Sequence, residues 1–180
     1  IVYMTIDDLF FAKFRALIKT APQIIRDLLA ENADLRERLD FHPELNTLEH
    51  IRIVTFRAMA IDSLKQALPD DIGTTNLIFS GILHDIGKKR CAKINPKTHK
   101  PTSPGHDKFA ADLINQNIAI QAWILQWGAD PHTVAWICQQ HMRIKRISQM
   151  RQTKRTAIEN HPNYIELVIF SLLDNMLEDF

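Results

Sequence analysis

The sequence predicts an all-α fold, a single-domain helical bundle. Three observations carry this prediction. Apolar residues recur at helical spacing through most of the 180 residues. No stretch alternates β-branched with polar residues, and no Asn-Gly or Asp-Gly pair marks a hairpin. Only five glycines are present to make sharp turns. The hydrophobic share of 46% and charged share of 24% are ordinary for a globular chain of this length, which is enough for one sizeable core. No apolar run approaches the roughly 18 residues of a membrane span, and the first residues lack the basic start of a signal peptide. Two cysteines do not make a disulfide framework, so a cytoplasmic location is expected.

Each element has its own reason. Thr5 is a suitable N-cap, with Asp7 and Asp8 in the first turn, for a helix to about Lys19. Pro22 suits the first position of a second helix to about Asp40, and the residues from Phe41 to Leu45 form a connector. Asn46 or Thr47 then caps a helix with the apolar stripe Leu48, Ile51, Val54, Ala58, Ile61, Leu64 and Leu68. Pro69 to Gly73 end it, and Thr74 or Thr75 opens the next. That next segment, Asn76 to Lys88, is an almost uninterrupted apolar run, so it should be buried on both faces; it ends in adjacent His84 and Asp85.

The stretch from Gly87 to Gly105 is the least regular, with three prolines and six basic residues. Helix resumes near His106 and runs through Asn117, and a shorter one ends at Gly128, a common residue just past a helix. Asp130 and Pro131 pair an N-cap with a first-position proline for a helix to about His141. Residues 142–160 are basic and only partly patterned. His161-Pro162 opens a last helix in which Ile165, Leu167, Val168, Ile169, Phe170, Leu172, Leu173, Met176 and Leu177 cover nearly the whole circumference, which predicts a central position. Residues 1–41 are read as N-terminal helices packing on a core formed by 42–180.

Charge is unevenly spread behind a net value of +1. Residues 1–85 carry −4, residues 86–155 carry +10, and residues 156–180 carry −5. The basic block starts directly after His84-Asp85, which points to an anionic ligand; a solvated basic surface would give the same count.

Several polar residues fall on faces that should be buried. His106 leads Phe109, Ala110, Leu113 and Ile114 at core-facing offsets, and His141 follows Val134, Ile137 and Cys138 in the same way. His84 ends the buried run, and His50 borders the stripe of Ile51 and Val54. One inward histidine is usually a satisfied core residue; four, with Asp85 beside one of them, suggest a shared site. Asp174 sits in the middle of the apolar last helix, where an unpaired carboxylate costs several kcal/mol. A metal cation is the simplest remedy, and a buried Arg or Lys is another. Imidazole and carboxylate ligands suit Zn, Fe, Mn or Ni, and two bridged metals suit phosphate-ester hydrolysis, with Asp85 best placed to bridge.

The order His50, His84-Asp85, His106, His141, Asp174 resembles the HD-domain metal-dependent phosphohydrolases. The strings Leu83-His84-Asp85-Ile86-Gly87-Lys88, Gly105-His106-Asp107-Lys108 and His141-Met142-Arg143, with His42-Pro43-Glu44 upstream of His50, are most similar to the HD domain of bacterial tRNA nucleotidyltransferases and poly(A) polymerases. The resemblance spans about 42–177. It implies an HD-type bundle with a metal site at its centre, holding two divalent ions (Mn, Ni, Fe, Mg or Zn). It also implies hydrolysis of a nucleotide or RNA-end phosphate ester, with a 2′,3′-cyclic phosphodiester among the candidates. The Gly-Ser strand and paired aspartates of the nucleotidyltransferase head are absent from the sequence, and so is the Gly-Tyr-Pro signature of the cyclic-di-GMP branch.

Under this reading Asp85 is the bridging catalytic carboxylate. Lys88, one turn on, binds a phosphate oxygen, unless it is only a helix-terminal lysine. Arg143 clamps the phosphate, unless it is a surface residue. Lys89, Arg90, Lys93, Lys97 and Lys100 form a basic lid or an ordinary solvated loop. Trp123, Trp127, Trp136 and Cys138 read as core, and Cys91 as exposed. Two other classes share these features. One is the mixed-valence di-iron HD-fold oxygenases, which cleave C–C or C–P bonds of small anionic substrates. The other is an RNA-binding module using the basic segments 88–100 and 143–155. The expected partners are therefore an anionic small molecule or nucleotide, with RNA as a further candidate and no membrane.

Overall fold

The computed structural model describes residues 5–35 and 46–176. Among them the chain is almost wholly helical, and its strand content is one minimal hairpin. Helix α1 (Ile6–Lys19) starts with a reciprocal cap: Asp8 N–H donates to Thr5 Oγ1, and the Asp8 carboxylate accepts from Thr5 N–H at 2.9 Å. Helix α2 (Gln23–Asn32) begins one residue later than Pro22 suggested, because Pro22 takes the extended cap position itself. It ends at Asn32, well short of the expected Asp40, because the chain turns at Ala33 and Asp34; residues 36–45, with the connector and His42, lie outside the described residues. Asn46 caps α3 (Thr47–Ser63), accepting from Glu49 N–H at 2.9 Å.

Helix α4 (Thr74–Leu83) is the centre of the bundle. Every residue from Leu77 to Leu83 is buried, and the helix packs against α3, α8 and α10. Gly81 makes the close approach to α3 possible, since a Cβ there would stand 2.9 Å from Thr55 Cα. The irregular stretch resolves into a four-residue helix α5 (Lys88–Cys91) and a hairpin of β1 (Lys93–Ile94) with β2 (Pro101–Thr102). The hairpin corrects the strand-free expectation. Its turn uses Asn95 Oδ1, accepting from Lys97 and Thr98 N–H, and His99 at φ 55°, in place of an Asn-Gly pair.

Helices α6 (His106–Gln116) and α7 (Ile118–Gln126) follow, with Gly128 at φ 81° past α7. Asp130 caps α8 (Pro131–Ile144) by accepting from His132 and Thr133 N–H, and α8 runs three residues beyond the expected end. The basic stretch contains α9 (Gln152–Glu159), and the last helix, α10 (Tyr164–Asn175), begins at Tyr164 instead of His161. Helix α10 is not buried all round. Leu167, Phe170, Leu173 and Asp174 face inward, while Ile165 and Leu172 are exposed, so apolar content overstated its centrality.

The N-terminal helices belong to the same core. Phe14, Leu17, Ile25 and Leu28 pack in one continuous apolar cluster with Phe79, Ile82, Ile137 and Phe170. Trp123 is buried there and donates from Nε1 to Leu17 O at 3.1 Å. Trp127 and Trp136 are half-buried, and Trp127 donates to Thr20 Oγ1. Cys91 is half-buried rather than exposed; Cys138 is fully buried, and its thiol is pushed up by that burial. No helix among the described residues is long and apolar enough to cross a membrane.

Candidate metal centre

Five segments bring the six predicted ligands together. His50 comes from α3, His84 and Asp85 from the end of α4, His106 from the first position of α6, His141 from α8 and Asp174 from α10. All six are buried. The sequence places each at an inward register of its own helix, and the packing of α4 against α3, α8 and α10 makes those registers converge.

Asp85 divides the cluster in two. Its Oδ2 faces His84 Nε2 at 3.2 Å and His50 Nε2 at 3.5 Å. Its Oδ1 faces His106 Nε2 at 3.1 Å and His141 Nε2 at 3.6 Å. Asp174 joins the first half, with Oδ1 at 3.0 Å from His50 Nε2 and 3.4 Å from His84 Nε2. Within each half the two imidazoles meet nitrogen to nitrogen, at 3.4 Å for His50 and His84 and 3.3 Å for His106 and His141.

The opposite edges of three rings fix their orientation. His84 Nδ1–H donates to Gly81 O at 3.0 Å, His106 Nδ1–H to Ser103 O at 2.6 Å, and His141 Nδ1–H to Cys138 O at 2.6 Å. A carbonyl only accepts, so Nδ1 carries the proton in each. In the neutral ring this leaves the Nε2 lone pair aimed at the carboxylates and at another Nε2. Phe170 closes the first half, with its ring centre 5.3 Å from that of His84.

This donor set fits metal ions. Two lone pairs 3.3–3.4 Å apart repel unless a proton or a metal cation lies between them. Ligand bonds of about 2.0–2.2 Å at tetrahedral or octahedral angles place neighbouring ligand atoms about 3.0–3.5 Å apart, the spacing found here. Asp85 Oδ1 is buried without a hydrogen bond, as a ligand oxygen awaiting a cation would be. The groups His50, His84, Asp85 and Asp85, His106, His141 each hold ligand atoms within 4.8 Å of one another and could each hold an ion.

Without metal, protons and lysines supply the compensating charge. Burial opposes charge on His84, but Asp85 and Asp174 overcome it and push its imidazolium up to about 10. Burial pushes His141 down instead. Asp85 is held well below the usual carboxylate range, against the upward push of burial, by the charges of His84 and Lys88 and by the adjacent imidazoles of His106 and His141. Asp174 is held low in the same way by His50, His84 and Lys145.

Lys88 Nζ pairs with Asp85 Oδ2 at 2.8 Å, so the lysine one turn past the aspartate does reach the site. Lys145, which the sequence reading left in the basic run, pairs with Asp174 Oδ2 at 2.7 Å. A signal for it existed: it lies four residues past His141, on the same helical face. Helical backbone persists to Lys145, at φ −60° and ψ −18°, which delivers it there. Arg143, two residues past His141, points about 200° round the helix. It is exposed and lines a groove on the outer side of α8. Arg90 is also turned away, held by Glu31 through two bonds of 2.9 and 3.0 Å.

A second residue missed by sequence reasoning is Asn32, at the end of α2. It is fully buried, donates from Nδ2 to Ile86 O at 2.8 Å and accepts from Lys89 N–H at 3.2 Å. It thereby clamps the turn that carries His84, Asp85 and Lys88. A lone Asn in an amphipathic helix offers no pattern to find it by.

A scan against protein-family models, a search of curated proteins and a search of solved structures each find no match for this chain.

Proposed function

We propose that the chain is an HD-type metal-dependent phosphohydrolase acting on a nucleotide or RNA-end phosphate ester. The observation that carries this reading is the position of Asp85, whose two oxygens each face a separate pair of histidines. That is the arrangement a carboxylate needs to bridge two ions. His50, His84, Asp174 and Asp85 Oδ2 would hold one, and His106, His141 and Asp85 Oδ1 the other. When bound, such a pair lowers the pKa of a coordinated water toward neutrality and offsets charge on phosphoryl oxygens.

The chain's own residues then have distinct tasks. The Nδ1–H bonds to Gly81, Ser103 and Cys138 hold three imidazoles in the tautomer that presents a basic Nε2. Burial of the cluster limits water and strengthens each electrostatic contact. Lys88 and Lys145 are the only ammonium groups paired with Asp85 and Asp174 among the described residues, and both side chains remain partly exposed. With the carboxylate charge offset, Lys88 and Lys145 would be held less tightly by Asp85 and Asp174 and could face an incoming anionic substrate. Lys88 binds a phosphate oxygen, as the sequence suggested, and Lys145 does so from the side of Asp174.

The test joins elemental analysis with a panel of phosphomonoesters and phosphodiesters, 2′,3′-cyclic nucleotides among them, assayed with Mn, Ni, Zn and Fe. Hydrolysis that requires metal and falls in Lys145→Ala at unchanged metal content supports the proposal. Substrate-dependent oxygen uptake by the iron form, without phosphate release, would replace it with an oxygenase.

A further inference from the structure

The outer side of α8 carries a second feature with its own chemistry. A groove of about 730 Å³ runs between α8 and α9, a size that accommodates one or two nucleotide units. Trp136, Gln140 and Arg143 line one wall at helical spacing; Arg151, Lys154 and Ile158 line the other. No carboxylate lines it, and among the described residues Arg143, Arg151 and Lys154 have no acidic partner. Three cations gathered round one concavity repel one another unless an anion enters.

Two further observations point to a ligand of a particular kind. Gln140 is 7% exposed, and its Oε1 is buried without a hydrogen-bond partner. An amide oxygen left in this state needs a donor, and a bare phosphate has none to give. Trp136 is stacked on His161 at 3.7 Å and 10° between planes, which fixes the indole as a rigid wall of the groove. A flat aromatic wall, a buried acceptor and three cations match a base, a ribose hydroxyl and phosphates respectively.

We infer that the α8–α9 groove binds nucleoside phosphate units of a single-stranded RNA. Arg143, Arg151 and Lys154 contact its phosphates, the Gln140 carboxamide rotates to bring its unpartnered Oε1 to a ribose hydroxyl, and Trp136 stacks a base on the face that His161 does not cover. This site lies on the side of α8 opposite His141 and does not use the metal ligands. It deepens the proposed phosphohydrolase reading by giving that activity an RNA-binding surface, yet its own test is independent of catalysis.

The experiment is fluorescence anisotropy with a labelled oligoribonucleotide of about ten residues, using the full chain in chelator and an Asp85→Ala background. Binding there should persist, with log K falling by about 2 per decade of salt, since three phosphates at about 0.7 each are neutralised. Arg151→Glu with Lys154→Glu, both at exposed positions, should weaken binding at least about tenfold and flatten the salt slope. The same pair of changes made in the natural chain should leave metal content unaltered. The oligoribonucleotide should outcompete both AMP and the matching DNA, and Gln140→Met should erase the preference over DNA. Unchanged binding in the double variant, or loss of binding in chelator, overturns the groove assignment. Equal affinity for AMP overturns the RNA assignment, and equal affinity for the DNA or for inorganic polyphosphate overturns the ribose contact. Failure of the phosphatase panel alone would count against the metal-site reading and not against this one.

Discussion

Replacing Asn32 tests how the N-terminal helices support the candidate metal centre. Asn32→Ala leaves Ile86 O, at a fully buried residue, without its side-chain donor, and removes the acceptor for Lys89 N–H. An abandoned buried backbone group costs about 1–3 kcal/mol; Lys89 is exposed, so water can reach its amide and that half is discounted. The expected loss is about 1–3 kcal/mol, a sizeable share of the roughly 5–15 kcal/mol that stabilises a domain. In a chain of this size it lowers the melting temperature by roughly 2–12 °C. Asn32→Leu keeps the volume and removes the bonds, so it should cost a similar amount. The released turn holds His84, Asp85 and Lys88, and metal affinity should therefore fall about 10- to 100-fold, as it does when groups behind metal ligands are lost. Urea unfolding of the metal-free chain gives the first quantity, and competition with a coloured chelator gives the second. A loss below about 0.5 kcal/mol together with unchanged metal affinity would refute the clamp.

Three other expectations follow from the same geometry. Elemental analysis of His50→Ala and His106→Ala should each show one ion lost and the other kept, while Asp85→Ala loses both; equal losses in all three would exclude a bridging role. Gly81→Ala puts a methyl group 2.9 Å from Thr55 Cα, spreading α3 from α4. It should destabilise the chain by about 1–3 kcal/mol in chemical unfolding and weaken the half of the site that needs His50 beside His84. The metal-free chain should lose thermal stability as pH rises from about 6.5 toward about 10, because His84 is held charged in the folded state up to about 10. A raised folded pKa stabilises fully below the unfolded value and is lost as pH climbs through the folded one. Metal should reverse the trend, since it binds the ligand in place of the proton; a flat metal-free profile by calorimetry would exclude a charged His84.

The ligand types and their helical registers were legible in the sequence because burial makes a polar residue on an apolar face conspicuous. His50, His84, Asp85, His106, His141 and Asp174 all stood out for that reason, and all six meet. Of the two remedies posed for Asp174, the lysine is present: Lys145 takes its outer oxygen, while His50 and His84 face the other as metal ligands would. Arg143 shows the limit of reading by proximity, since two residues along a helix reverse the direction of a side chain.

By itself, then, the sequence determined the all-α class, most helix starts and the identity of the clustered residues, since caps, periodicity and misplaced polarity are local properties of a chain. Tertiary structure alone decided that Asp85 divides the four histidines into pairs, that Lys145 and not Arg143 reaches a carboxylate, and that Asn32 holds the turn carrying His84 and Asp85. It also decided which face of α10 is buried. Each of these depends on how distant helices are set against one another, and that is fixed by side-chain fit across the whole core, with Gly81 against Thr55 as one contact, and not by any neighbour in the chain.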